Sequence, residues 1–354
     1  MADDTETSTT QSEIDARVEE ANDLIGTEGV WSGRILYTGV ELGLFKILDD
    51  DPTSASELAT QLDLDSGNTY RLLRAMTHFG VLDEDENRRF SLTPVGELFQ
   101  ADHPHSVQGN LLFNRSPEWS KTMLHMSDIV NEGGPTGFVR EFGCDFFEYL
   151  EKNPEFGDRY NALMEFASRN HPDQILDALD THDFSQFSHV CDVGGGRGRL
   201  LSHILKANPR LQGTVLELPD VVAEEDRFWA PQLNVTERCT YVGGDMFEGV
   251  PEADVYFLKW ILHNFDDEEC QQILSTIHES APSDGRLFII ETVVPDPGTP
   301  HYAKRLDITM MVQTGGRERT KDEYVELLEQ TGWKFVETWV PEEGPLSVLE
   351  AERA

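Results

Sequence analysis

The run Asp192-Val-Gly-Gly-Gly-Arg-Gly198 separates two segments of different periodicity. His189 to Val193 before it reads as a short buried strand. Leu200-Leu-Ser-His-Ile-Leu-Lys206 after it has helical spacing of its apolar positions. Gly194, Gly196 and Gly198 are therefore predicted on a strand-to-helix turn, where the lack of Cβ lets backbone approach a ligand closely. Glu217 closes the next predicted strand, Gly213 to Leu218, and its carboxylate can accept hydrogen bonds from both hydroxyls of a ribose. The combination predicts a nucleotide-type cofactor loop. Alone, the glycines would also suit a plain tight turn between strand and helix.

Spacing decides between cofactor types. A dinucleotide fingerprint needs glycine at the first, third and sixth positions, but the sixth residue counted from Gly194 is Arg199. The glycines instead alternate after an aspartate, as Asp-x-Gly-x-Gly-x-Gly. That form suits a nucleoside whose amino-acid tail, rather than a pyrophosphate, lies over the loop. A methyl donor fits better than a hydride carrier.

The 354 residues suffice for two domains and a sizeable core. Against 28 Lys+Arg stand 66 Asp+Glu, a net charge of −38. A surface of carboxylates repels itself at low ionic strength and is screened in strong salt, which points to a halophilic, cytoplasmic protein; an ordinary acidic enzyme is the alternative. Nucleic acid is not expected as a partner, because binding it requires a basic footprint. Cys144, Cys191, Cys239 and Cys270 are widely separated and form no Cys-x-x-Cys pair, so neither structural zinc nor a disulfide scaffold is expected. The polar, acidic Met1–Gln11 lacks a signal segment, and no apolar run has membrane-spanning length.

Residues 1–12 have the composition of a disordered tail. Apolar positions then recur with helical spacing from Ala16 to about Leu48. Ser54 with Glu57 three residues on predicts a capped helix, and a second helix from about Ser66 to Phe79 is stopped by Gly80. Val81 to Thr93 reads as a two-stranded wing. This winged-helix rhythm raises a transcription regulator with Arg71 and Arg74 on its reading helix. Charge argues against it: residues 1–110 carry 22 acidic and 7 basic side chains. A dimerisation or lid role is the stronger reading for 13–110.

Residues 111–180 read as a helical connector broken at Gly133-Gly-Pro135. From 181 to 354, strands alternate with helices, including Asp267–Ser280 and Lys321–Gln330. That alternation predicts a largely parallel sheet covered on both faces, with ligands outside the carboxyl ends of its strands. The short link Pro341 to Pro345 predicts that the last two strands pair antiparallel.

Three predicted strand ends carry side chains of chemical interest. Asp245, in Gly243-Gly-Asp-Met-Phe247, can accept an adenine amino group while Met246 packs on the ring; a plain turn with a capping Asp is the alternative. His263, in Leu258-Lys-Trp-Ile-Leu-His263, is placed as a general base, although a lone histidine can be structural. Glu291 ends the fifth strand on the same edge of the sheet, where a carboxylate could orient that imidazole. Glu318, in Gly315-Gly-Arg-Glu-Arg-Thr320, is a second candidate; the alternative is a first-turn helix acid favoured by the helix dipole.

These segments, with Glu217-Leu-Pro219, come in the order found in a known family. The chain resembles the plant-type small-molecule O-methyltransferases that use S-adenosylmethionine, the group including caffeic acid and hydroxyindole O-methyltransferases. The resemblance covers nearly the whole chain and implies a Rossmann-like class I methyltransferase sheet behind an N-terminal winged-helix dimerisation domain. It further implies that Asp192, Gly194, Gly196, Gly198, Glu217, Asp245, Met246 and Lys259 serve the cofactor. His263 would be the base, flanked by Glu291 and Glu318. Phe156, Tyr160, Met164, Trp260 and Met310 would line the acceptor pocket, although Met and aromatic residues also fill cores. Two departures are Glu217, where many members have Asp, and Asn264, where plant members usually have Asp.

The expectation is an S-adenosylmethionine-dependent O-methyltransferase, homodimeric, without a metal, acting on a small hydroxylated and aromatic acceptor. A C-methyltransferase, a relative that binds cofactor without methyl transfer, and a winged-helix regulator with a ligand-sensing domain are the alternatives.

Overall fold

The computed structural model of the protein describes residues 27–354, apart from 50, 170, 180–181, 224 and 342–343. The predicted tail 1–12 and the helical pattern before residue 27 lie outside the described residues. The chain forms two compact units, 27–120 with Pro154–Phe166, and Lys121–Asn153 with Ala167–Ala354. The predicted connector 111–180 is thus shared between them.

In the first unit, the helix Thr27–Glu41 turns Ile35, Leu36 and Val40 toward a core of Leu44, Phe45, Leu58, Leu73, Met76 and Phe90. Val30 and Trp31 remain 67% and 60% exposed, an apolar pair at the start of that helix. Strand β1 (Thr53–Ser54), strand β2 (Leu82–Glu84) and strand β3 (Arg89–Leu92) form a small antiparallel sheet in the order β1-β3-β2. Ser54 and Glu57 make the predicted reciprocal cap on the helix Ala55–Leu62, each accepting from the other's backbone N–H. The helix Ser66–His78 starts on Asp65, and Gly80 follows its end with φ +70°. The winged-helix reading is therefore realised.

The second unit is built on seven strands: β4 (His189–Val193), β5 (Gln212–Glu217), β6 (Cys239–Gly243), β7 (Val255–Lys259), β8 (Arg286–Glu291), β9 (Trp333–Trp339) and β10 (Ser347–Arg353). Their order is β6-β5-β4-β7-β8-β10-β9. Strands β4 to β8 pair parallel, and β10 runs antiparallel to both β8 and β9, as the short Pro341–Pro345 link requires. Val190, Cys191, Val193, Val255, Tyr256, Phe257 and Leu258 are fully buried, which is why these strands read as continuous apolar runs rather than alternating ones.

Helices cap themselves from sequence here too. Asp266 with Glu269 starts Asp267–Ser280, and Thr320 with Glu323 starts Lys321–Gln330, both as reciprocal caps. Strand order reverses at β4, between β5 and β7. Ligands of open α/β sheets bind at such a reversal, outside the carboxyl ends of the strands. Among the described residues, no helix is long and apolar enough to cross a membrane.

Candidate active site

The glycine run leaves β4 in a backbone conformation that side chains resist. Gly194, Gly196 and Gly198 have φ of +68°, +56° and +74°. A Cβ on Gly194 would stand 2.4 Å from Ile261 Cδ1, and one on Gly198 2.4 Å from the Tyr241 hydroxyl. A Cβ on Gly196 would meet nothing within 4 Å, so the loop presents an open backbone there. Asp192 is buried beneath the loop, and a Cβ on Gly195 would touch its carboxylate.

Glu217 ends β5 beside this turn. Its Oε2 accepts from the Gly196 N–H at 2.9 Å, and its Oε1 from the Leu218 N–H at 2.9 Å. Each oxygen retains a lone pair for a further donor. Burial raises the Glu217 pKa, and it pushes Asp192 up to about 7 against the opposing pull of Lys259. Asp245, after β6, is exposed and accepts from the Phe247 N–H at 2.9 Å within a turn. Met246 packs half-buried against the core of the second unit.

Lys259 ends β7. Its Nζ donates to Ser168 Oγ at 3.1 Å and lies 4.7 Å from the centre of the Trp260 ring. Burial pushes its pKa down to about 8, with Asp192 pulling the other way. Trp260 holds φ +56°, a region a large aromatic residue enters only under strain. Its ring meets His171 edge-on at 4.7 Å and stacks at 6.2 Å, nearly parallel, on His263. The Trp260 Nε1 and His171 Nδ1 are buried without a hydrogen-bond partner among the described residues. Ser168 and His171 were not foreseen from sequence, since neither belongs to a motif.

His263 sits on the 3-10 turn Leu262–Asn264 that follows β7. Its Nδ1 is 2.8 Å from Glu318 Oε1 and 3.7 Å from Glu291 Oε2. Glu291 Oε1 accepts instead from the backbone N–H groups of Ile261 at 3.0 Å and His263 at 3.4 Å. The two carboxylates divide the labour: Glu291 fixes the turn and Glu318 takes the imidazole. The ring also has a hydrogen bond with the backbone of Trp260, which favours its protonated form. Burial lowers the His263 pKa, and it raises Glu291 to about 7 and Glu318 to about 8, with Asp307 adding to the latter. An imidazole that gains a proton here therefore draws both carboxyls toward their ionised forms. The ligand atoms of His263, Glu291 and Glu318 all lie within 4.8 Å, so the same donors could also hold a cation.

Met310 is half-buried on the helix Tyr302–Gln313, which leads into the Gly315–Thr320 segment. Phe156 and Tyr160 pack on Phe113 within the first unit, at ring separations of 5.1 and 5.6 Å, and Met164 follows on the same helix, Pro154–Ala167. The structure thus brings together His263, Glu291, Glu318, Trp260 and Lys259, and separately the glycine loop with Glu217. The second unit also holds Asp245, Met246 and Met310.

Comparison with known proteins bears on the family and the fold. Residues 123–334 match the model of an O-methyltransferase domain, and residues 27–102 match an O-methyltransferase dimerisation domain. A phenazine O-methyltransferase of Lysobacter antibioticus is 33% identical over 327 residues, covering 91% of this chain and 93% of its own. The structure of the mitomycin 7-O-methyltransferase MmcR superposes with a TM-score of 0.87 at 29% identity, over 98% of this chain and 100% of the other. CalO1, a methyltransferase of calicheamicin biosynthesis in its SAH-bound form, superposes with a TM-score of 0.74 at 29% identity, over 96% and 99%.

Proposed function

This chain belongs to the family of S-adenosylmethionine-dependent O-methyltransferases acting on small aromatic molecules, and we propose that His263 is its general base toward a phenolic hydroxyl. The observation that carries this is the 2.8 Å bond between Nδ1 and Glu318, which commits that ring nitrogen; the acceptor is assigned to Nε2 on this reading.

The residues around the glycine loop fit the cofactor. Gly196 offers open backbone, Glu217 a carboxylate with spare lone pairs, and Asp245 an exposed carboxylate. Lys259 and Ser168 supply donors at the end of β7 for an amino-acid tail. When bound, S-adenosylmethionine supplies an electrophilic methyl group on a sulfonium centre.

A phenol with a pKa of about 10 is mostly neutral at pH 7, so its oxygen is a weak nucleophile until the proton leaves. His263 takes that proton at Nε2 while Glu318 accepts the Nδ1–H and stabilises the imidazolium. Glu291, held by two backbone N–H groups, keeps the turn from rotating. Trp260 lies nearly parallel to the imidazole, with ring centres 6.2 Å apart. The dimerisation domain and the exposed Val30–Trp31 pair support a homodimer. The acceptor class is a hydroxylated aromatic ring system, as in the phenazine and mitomycin enzymes named above.

The test is calorimetric titration of S-adenosylmethionine. One site per chain is expected, lost in Gly196→Asp and kept in His263→Ala. Folded protein that binds none would overturn the cofactor assignment of these residues. Turnover unchanged by EDTA separates the base from a cation at the same three side chains.

A further inference from the structure

Resting on the reading of His263 as base, we propose that Arg319 is a positioning residue for the reaction: its guanidinium staples the turn that carries His263. Arg319 is wholly buried, and each of its five N–H donors has an acceptor. Nη1 donates to the Leu262 carbonyl at 2.9 Å and the Arg317 carbonyl at 3.4 Å. Nη2 donates to the Phe265 carbonyl at 2.9 Å and to Asp267 Oδ1 at 2.8 Å, and Nε to the same oxygen at 3.1 Å. One planar fork therefore bridges the residue just before His263, the residue two beyond it, and the first residue of the following helix.

A second observation places the same segment against the same turn. A Cβ on Gly316 would stand 2.1 Å from the His263 carbonyl oxygen and 2.4 Å from the Asn264 carbonyl carbon. The strand of loop that delivers Glu318 to the imidazole is thus pressed on the base's own backbone by Gly316 and locked there by Arg319. Loss of either lets Glu318 and His263 drift apart.

Arginine is required by this geometry. A lysine keeps the charge beside Asp267 but has three donors on one atom and cannot span both carbonyls and the carboxylate. The charge and the bridging are therefore separable by substitution.

The experiment is side-chain 15N NMR of the histidines in the full-length protein saturated with S-adenosylmethionine, the His263 signal being identified by its absence in His263→Gln. The groups facing His263 are Glu291, Glu318, Lys259 and Arg319. The wild type is expected to show one tautomer, protonated at Nδ1. Arg319→Lys is expected to bind the cofactor with wild-type affinity yet lose the single-tautomer signal, with turnover down about 10–100-fold for a misplacement of this kind. Asp267→Asn and Gly316→Ala, which leave Arg319 in place, are expected to show the same loss in weaker form, and they carry the test if Arg319→Lys does not fold. A wild-type His263 signal in all three variants would overturn the proposal. A wild-type protein protonated at Nε2 would instead overturn the base assignment on which it rests.

Discussion

His263 Nδ1 lies 2.8 Å from Glu318 Oε1, across 55 residues of chain, while the nearer carboxylate in sequence, Glu291, stands off at 3.7 Å. The imidazole is thus oriented by the loop after the helix Tyr302–Gln313, and its turn is fixed by the end of β8. If Glu318 orients the base, Glu318→Gln should lower turnover by tenfold or more without changing cofactor affinity. Calorimetry and initial rates on the same preparation check this, and equal losses in binding and turnover would sink it.

The pH dependence follows from burial. The His263 pKa is lowered from its ordinary 6.5, so the base is already neutral above that value. The acid limb of kcat reports the coupled His263, Glu291 and Glu318, so it should move in Glu318→Gln. An acid limb unmoved by that change contradicts the assignment.

His171 is pushed down to about 3 by burial, with Lys259 and Arg199 adding to the effect. A histidine depressed in the folded state contributes stability present above its unfolded value of about 6.5, and that stability is lost as pH falls toward 3. Wild type should lose more in Tm between pH 7 and 4 than His171→Phe does. Parallel losses would show that His171 is not the group that charges.

Glu217 holds the Gly196 N–H as well as facing the cofactor's side of the loop. Glu217→Ala should weaken S-adenosylmethionine binding at least tenfold while Tm drops only slightly, because the change lies at a strand end. Undiminished affinity in a titration would remove Glu217 from the site.

Charge alone carries the salt reading. With a net charge of −38, Tm should rise as KCl is raised from 0.1 to 2 M, and most steeply at the low end where the screening length is about 10 Å. A Tm that is flat over that range would show that self-repulsion costs the fold little.

Much of the second unit was legible because its strands are buried on both faces and read as unbroken apolar runs bounded by turns. The helices Asp267–Ser280 and Lys321–Gln330 were found to the residue because their caps are written in sequence as Asp266 with Glu269 and Thr320 with Glu323. Three features were not legible. Trp260 gives no local sign of its φ of +56°, since tertiary packing rather than turn chemistry imposes it. The joining of Pro154–Phe166 to the first unit depends on packing such as that of Phe156 on Phe113, which periodicity does not report. The choice of Glu318 over Glu291 as imidazole partner depends on how closely Gly316 approaches the His263 carbonyl. Arg319 stood in a motif already singled out, next to Glu318, but only the backbone carbonyls it bridges reveal its part.

The most direct measurement is transfer of isotope-labelled methyl from S-adenosylmethionine to a panel of hydroxylated aromatic acceptors, by wild type and by His263→Ala. The wild type should give a methyl ether, and the variant should form it roughly 10²–10⁴-fold more slowly with cofactor affinity unchanged. Equal turnover by the two proteins, or methyl found on carbon, would contradict a histidine base acting on a hydroxyl.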